Sequence, residues 1–169
     1  MALRGSVTET VPIEADELFA VITDVDRLPE WNAIIRDVVE RPSTLARDAE
    51  WVVELSAMGN TWRSRSRVLE HDVGALRFAY RSRTDDGNPS YGDWSWQVVS
   101  DQDGSRVTVT WDLHPQTFWR RVLLAPVRNR QLKREVRASL RALERAAEAT
   151  AEISRSNTRG WSEQYAKEG

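Results

Sequence analysis

The chain has 169 residues, of which 40% are hydrophobic and 30% charged, and its formal net charge is −2. It contains no cysteine, which excludes disulfides, thiolate metal sites and a cysteine nucleophile. No apolar run approaches the ~20 residues of a membrane-spanning helix, and residues 1–6 lack the apolar core of a signal peptide. We therefore expect a cytoplasmic protein with one sizeable core.

The charges are unevenly distributed along the chain. Residues 1–60 contain five arginines and twelve acidic residues, whereas residues 120–145 contain nine basic and two acidic residues. A basic segment of this kind can meet an anionic partner or a membrane surface. The alternative, which we favour, is a solvated helix face that pairs with the acidic half of the chain.

The N-terminal region predicts one strand followed by two short helices. Polar and apolar residues alternate weakly over residues 6–11, and Pro12 follows them, which is consistent with a first strand. Asp16 and Glu17 then suit the first turn of a helix, because carboxylates favour the positive end of the helix dipole. Residues 24–31 predict a second short helical segment that Pro29 interrupts.

The middle of the chain predicts six further strands separated by turn residues. The segments are 34–41, 49–57, 61–71, 75–83, 91–100 and 105–113. Because the links between them are short, neighbouring strands should be antiparallel, since parallel neighbours need a dozen or more connecting residues.

These strands alternate between an aromatic face and a basic face. Successive side chains of a strand point to opposite faces of the sheet, so residues two apart share a face. By this rule the inner face carries the aromatic residues Trp51, Trp62, Phe78, Tyr80, Trp94, Trp96 and Trp111. The strand arginines fall on the opposite face, where no aromatic residue interleaves them as a nucleic-acid stacking platform requires. We therefore expect no nucleic-acid partner.

The pattern becomes helical after Pro115. Phe118, Val122 and Ala125 step by four and three residues, and a longer amphipathic pattern over 127–150 predicts a helix that packs on the sheet. Residues 1–153 are thus predicted to form a single domain, and the polar residues 154–169 a mobile tail.

The basic and apolar segment 118–126 allows two interpretations. It could dip into a membrane interface, with Arg120 and Arg121 meeting anionic headgroups. We favour the alternative, in which it forms the first turns of the C-terminal helical region. Peripheral membrane contact is therefore possible but less favoured.

This order of elements predicts an α+β helix-grip fold, in which a curved seven-stranded antiparallel sheet wraps around a long C-terminal helix. Residues 11–19, residues 24–31 and the helix end at 140–144 resemble the START-like superfamily, also called SRPBCC or the polyketide cyclase/dehydrase and lipid-transport group. The resemblance covers about residues 5–150. It implies an apolar cavity between the sheet and the long helix, used for hydrophobic molecules.

The candidate ligand-binding residues line that implied cavity: Trp31, Trp51, Trp62, Ser64, Ser66, Phe78, Tyr80, Trp94, Trp96, Trp111, Phe118 and Val122. Each ring could instead fill the core, so the sequence leaves the size of the cavity open. Ser64, Ser66, the Tyr80 hydroxyl and Asn32 are the inward polar groups that could orient a ligand.

No catalytic or metal-binding constellation stands out in the sequence. His71 and His114 are predicted at the surface, far apart, and neither follows a metal-ligand spacing. We expect no cofactor and no metal. The leading hypothesis is a non-enzymatic binder or carrier of a small-to-medium hydrophobic molecule.

The alternative hypothesis is a polyketide cyclase, aromatase or dehydrase acting in the same cavity. The resemblance implies inward polar residues, typically an arginine, for proton transfer, but the strand arginines point outward in our register. A bulge at Gly92 would turn Tyr91 or Asp93 inward and restore such a group.

Overall fold

The computed structural model describes residues 3–57, 59–116 and 125–167, and within them one sheet packs against three α-helices. The strands are β1 (Leu3–Val11), β2 (Ile35–Glu40), β3 (Glu50–Ala57), β4 (Asn60–Asp72), β5 (Arg77–Thr84), β6 (Tyr91–Asp101) and β7 (Gly104–His114). The helices are α1 (Ala15–Thr23), α2 (Leu28–Trp31) and α3 (Ala125–Lys167), with a 3-10 turn at Val25–Arg27. The predicted α+β helix-grip fold is confirmed.

The sheet is antiparallel throughout, in the order β1-β7-β6-β5-β4-β3-β2. Strands β1 and β2 therefore lie at opposite edges, and the chain between them carries both short helices. Helices α1 and α2 pack against α3, and α1 also contacts β6 and β7. The short helices thus bridge the gap between the two sheet edges.

The core forms where the inner face of the sheet meets the helices. Fully buried side chains come from α1, from the central strands and from α3, among them Leu18, Ile22, Val68, Val98, Val107, Val109, Leu140 and Leu143. On α3 the buried positions Leu132, Val136, Leu140, Leu143 and Ala147 recur at the predicted helical spacing. The apolar stripe of this helix is therefore confirmed.

Strand β4 contains a bulge that inverts its alternation. Val68 pairs with Tyr80, but Glu70 pairs with Ala79, so β4 has one extra residue at this point. Beyond the bulge, His71 stands opposite Phe78 and shares its face.

The prediction that His71 lies on the arginine face at the surface is therefore wrong. Its ring stacks on Phe19 with 6.0 Å between centroids and meets Phe78 edge-on at 5.8 Å. Its Nδ1 atom lies 2.6 Å from the carbonyl oxygen of Leu45. The extra residue in β4 places this imidazole against the core.

The outer face of the sheet carries the strand arginines, as predicted, and acidic side chains pair with them. The Arg65 guanidinium contacts Glu40, Glu50 and Asp85 within 3.5 Å. Arg81 makes two hydrogen bonds to Asp93, of 2.7 and 2.9 Å. These pairs neutralise part of the basic face.

A bulge at Gly92 is not formed. The pairing of β6 with both β5 and β7 runs through Gly92 without a register shift. Tyr91 and Asp93 therefore keep the register of the outer face, and the inward turn that such a bulge would cause is wrong. Tyr91 still borders a cavity at the strand ends, because it is the first residue of β6.

Helix α3 is longer than the 127–150 segment that the sequence predicted. It continues through residues 154–167, which the sequence analysis assigned to a tail. The domain boundary at residue 153 stays a prediction. Among the described helices, none combines the length and the apolar character needed to cross a membrane.

Candidate functional site: a cavity between the sheet and helix α3

Two adjoining cavities lie between the inner face of the sheet and α3. The inner chamber has a volume of about 100 Å³ and the outer chamber about 520 Å³. They share the lining residues Ile34, Leu55, Ser64, Ser82, Trp94 and Leu132, so we treat them as one site.

Aromatic rings form most of the inner chamber wall. Alternation in β3, β5 and β6 brings Trp51, Phe78, Tyr80, Trp94 and Trp96 to the same face. Neighbouring rings touch, with centroids 5.2 Å apart for Trp51 and Tyr80 and 6.4 Å apart for Tyr80 and Trp94. Such rings offer a ligand a large apolar surface with a few polar edges.

Trp31 closes the inner chamber from the side of α2. It ends that helix and is only 2% exposed, and its ring meets Trp96 edge-on at 5.4 Å. Its indole nitrogen Nε1 is buried without a hydrogen-bond partner among the described residues. Because an unsatisfied buried donor is costly, this N–H is a natural contact for a ligand acceptor.

Two serine hydroxyls pair on the sheet side of the chamber. Ser64 Oγ and Ser82 Oγ are 2.7 Å apart, and Ser64 Oγ also donates to the carbonyl oxygen of Arg83 at 3.0 Å. Since a hydroxyl has one hydrogen, Ser82 is the donor within the pair. Ser66, also predicted as a polar contact, is 3% exposed and lines the same chamber.

Tyr80 is the phenol of the inner chamber. Burial raises its pKa to about 12, although a hydrogen bond with the Trp96 side chain opposes part of that shift. The hydroxyl is therefore neutral at physiological pH and retains its hydrogen.

Helix α3 contributes two polar residues that the sequence analysis did not identify. Glu135 and Ser139, one turn apart, both line the inner chamber. Ser139 Oγ accepts a hydrogen bond from the backbone N–H of Ala33 at 3.0 Å, which ties α3 to the segment after Trp31. Glu135 could have been found from its position beside the apolar stripe, three residues after Leu132.

The outer chamber lies at the end of the strands. Its lining includes Trp62, Tyr91 and His114. His114 stacks on Tyr91 with 4.5 Å between centroids, and its Nε2 atom is 3.6 Å from Asp112 and 3.9 Å from Asp93. The His114 side chain is 27% exposed, so it lies half-buried at the surface.

The structure brings most of the predicted site residues together. The inner chamber is lined by Trp31, Trp51, Ser64, Ser66, Phe78, Tyr80, Trp94 and Trp96, and the outer chamber adds Trp62. Trp111 is buried against Trp94, at 5.9 Å between centroids, and lines neither chamber. Phe118 and Val122 lie outside the described residues. Ligand contact by any of these residues stays a prediction.

In the part of the chain that the structure describes, no three histidine or acidic side chains come close enough together to hold a metal ion.

Solved structures with the same fold include both plant and bacterial proteins. Ara h 8.0201 superposes with a TM-score of 0.70 at 15% identity, covering 88% of this chain and 99% of that protein. The Zhui aromatase/cyclase from Streptomyces sp. R1128 gives 0.67 at 19% identity, with coverages of 88% and 94%. Ginseng major latex-like protein 151 from Panax ginseng gives 0.68 at 11%, with 87% and 98%. At these identities the likeness establishes the fold alone.

A search of the curated proteins gave no significant match. The family described as polyketide cyclase / dehydrase and lipid transport matches residues 3–148, which is most of the sequence. The predicted START-like resemblance is thereby confirmed, and the chain belongs to this family.

Proposed function

We propose that the protein binds a small-to-medium hydrophobic molecule in the continuous inner and outer chambers. The observation that carries this proposal is the open volume of about 520 Å³ beside a wall of aromatic rings. Small-molecule sites are typically concave, mostly apolar and ~300–1,000 Å³ in volume. Burial of the apolar surface of the ligand would supply most of the binding free energy.

The cavity volume also argues against the alternative interpretation, in which the aromatic rings only fill the core. Well-packed interiors contain few voids larger than one water molecule. The inner chamber that the rings line measures about 100 Å³, which exceeds such a void and favours space for a ligand, with the polar groups in the wall setting the orientation of that ligand.

Native mass spectrometry of the purified protein tests the proposal, with extraction and identification of any released compound. We expect a stoichiometric hydrophobic adduct. Ala57→Trp would fill the outer chamber, which Ala57 lines, and should remove the adduct. Ala79→Trp, on the opposite face of the sheet, is the matched control and should retain it. Equal adduct levels in both variants would contradict the proposal.

A second candidate is catalysis of a polyketide cyclase or dehydrase type in the same chambers. The observation in its favour is Glu135, a carboxylate in the wall of a chamber that also contains the neutral phenol of Tyr80. A carboxylate and a phenol are the proton acceptor and proton donor that enolisation and dehydration need.

Turnover of a β-ketoacyl thioester, followed by mass spectrometry, separates the two candidates. An enzyme should lose most of its rate in Glu135→Gln and in Tyr80→Phe while both variants still bind a hydrophobic probe. A carrier shows no turnover in the wild-type protein under the same conditions.

The cytoplasmic location stays a prediction. So does peripheral membrane contact through the basic segment after Pro115, since residues 117–124 lie outside the described part of the chain.

A further inference from the structure

We propose that the inner chamber selects a ring compound with an uncharged hydroxyl group and disfavours one with a carboxylate. The hydroxyl oxygen would accept a hydrogen bond from Trp31 Nε1, and its hydrogen would be donated to an oxygen of the chamber wall. This inference rests on the proposed binding function and specifies the chemical class of the ligand.

The Trp31 indole is the group that would donate a hydrogen bond to the ligand. The ring is 2% exposed and lines the chamber, and Nε1–H has no partner among the described residues. An indole nitrogen can only donate, so its partner must be an acceptor. The Trp96 indole, which contacts Trp31 edge-on, instead shares a hydrogen bond with the Tyr80 hydroxyl.

The serine pair of the chamber supplies acceptors. The Ser64 hydrogen is donated to the carbonyl of Arg83 and the Ser82 hydrogen to Ser64 Oγ. Neither serine can then donate to a ligand without breaking one of these bonds. A ligand group that meets this pair must bring its own hydrogen, as a hydroxyl does and a carboxylate does not.

The Glu135 carboxylate also disfavours an anion. It is the only acidic residue in the described lining of the inner chamber. A ligand carboxylate would face this like charge in an apolar environment, where repulsion is screened far less than in water.

A hydrogen bond joins the two elements that carry Trp31 and Glu135. It runs from Ala33 N to Ser139 Oγ, and so links the chain two residues after Trp31 to the helical turn that follows Glu135. Trp31 and Glu135 therefore line the inner chamber from α2 and α3, which are held together at this point.

Isothermal titration calorimetry with three matched probes tests this inference at pH 7.5: naphthalene, 2-naphthol and 2-naphthoate. They share one ring system and differ in carrying no polar group, a neutral hydroxyl or an anion. We expect the wild-type protein to bind 2-naphthol about three- to tenfold more tightly than naphthalene, as one or two hydrogen bonds would give. It should bind 2-naphthoate most weakly.

Two variants and one control assign the selectivity to the named residues. Trp31→Phe keeps a ring but removes the N–H, so the affinity ratio of 2-naphthol to naphthalene should fall to about one. Trp111→Phe makes the same exchange at a buried ring that lines neither chamber and should preserve the wild-type ratio. Glu135→Gln should strengthen 2-naphthoate binding by about three- to tenfold, because the like charge is removed.

Equal binding of naphthalene and 2-naphthol by the wild-type protein would overturn the inference while leaving the binding function intact. So would a ratio that Trp31→Phe leaves unchanged. Failure of all three probes to bind would count against the proposed function itself and the inference with it. The readout is the ratio of two affinities measured on the same variant. A substitution that weakens the binding of every probe equally leaves this ratio unchanged, so it would not be mistaken for the expected result.

Discussion

The hydroxyl oxygens of Ser64 and Ser82 lie 2.7 Å apart on the neighbouring strands β4 and β5. Ser64 is 6% exposed, and its hydroxyl also reaches the carbonyl oxygen of Arg83 at 3.0 Å. The pair adds side-chain hydrogen bonds to the backbone ladder at the place where the chamber replaces packed core. This hydrogen bond therefore stabilises the sheet and also fixes the position of two hydroxyl groups that line the chamber.

We predict that Ser64→Ala lowers the free energy of unfolding by about 1–2 kcal/mol, because Ser82 and the Arg83 carbonyl lose a buried partner. Urea denaturation followed by circular dichroism measures the change. Ser100→Ala, at an exposed position of β6, is the control and should stay within about 0.5 kcal/mol of the wild-type protein. Similar effects of both substitutions would contradict the role of the serine pair.

Gly5 is predicted to be intolerant of a side chain. A Cβ atom at this position would lie 2.2 to 2.7 Å from atoms of the Trp111 indole, which is 2% exposed. Gly5→Ala should therefore destabilise the protein by about 1–3 kcal/mol through overpacking. Gly74→Ala is the matched control, since the nearest atom to its Cβ would be 3.5 Å away. Thermal melting of both variants tests the difference, and equal melting temperatures would refute it.

His71 is predicted to contribute to the core rather than to the surface. His71→Ala removes the ring contacts with Phe19 and Phe78 and the hydrogen bond to the Leu45 carbonyl. We expect a loss of about 1–3 kcal/mol in the free energy of unfolding, measured by urea denaturation. Val73→Ala, at a side chain that is 64% exposed, should change it by less than about 0.5 kcal/mol. A neutral effect of His71→Ala would mean that the ring is not packed as described.

The raised pKa of Tyr80 predicts a loss of stability at high pH. In the folded protein this pKa is about 12, against about 10 in an unfolded chain. The folded state then holds the proton more tightly, so stability is retained below pH 10 and lost as the pH rises towards 12. The loss due to this group should be about 2–3 kcal/mol.

The measurement for Tyr80 is urea denaturation of the wild-type protein and Tyr80→Phe from pH 8 to pH 11.5. Because other groups titrate in both proteins, the difference between them isolates Tyr80. The wild-type protein should lose stability relative to Tyr80→Phe above pH 10. A constant difference across the range would show that the phenol titrates normally.

The sequence predicted the fold well because its signals were local and repeated. Turn residues separated segments of clear period-two alternation, and the spacing of Leu132, Val136 and Leu140 marked the buried face of α3. Most inward rings followed from the same alternation, which holds wherever a strand is regular.

The predictions were wrong or incomplete where the alternation of a strand is interrupted, and where a helix residue lies at the edge of the apolar stripe. The extra residue between Val68 and Glu70 moved His71 to the core, and no residue type at that position signals a bulge. Glu135 was not identified from the sequence, although it borders the apolar stripe and lines the chamber. The volume of the site depends on how large rings pack, which sequence patterns do not encode.

The chain of ring contacts through Trp51, Tyr80, Trp94 and Trp111 has an optical consequence. Excitation energy passes readily between aromatic rings whose centres are 5.2 to 6.4 Å apart, so these chromophores do not emit independently. A bound molecule that quenches the fluorescence of one ring would therefore also lower the fluorescence of rings that it does not contact. The depth of quenching then reports occupancy of the chambers, not the number of tryptophans in contact with the ligand.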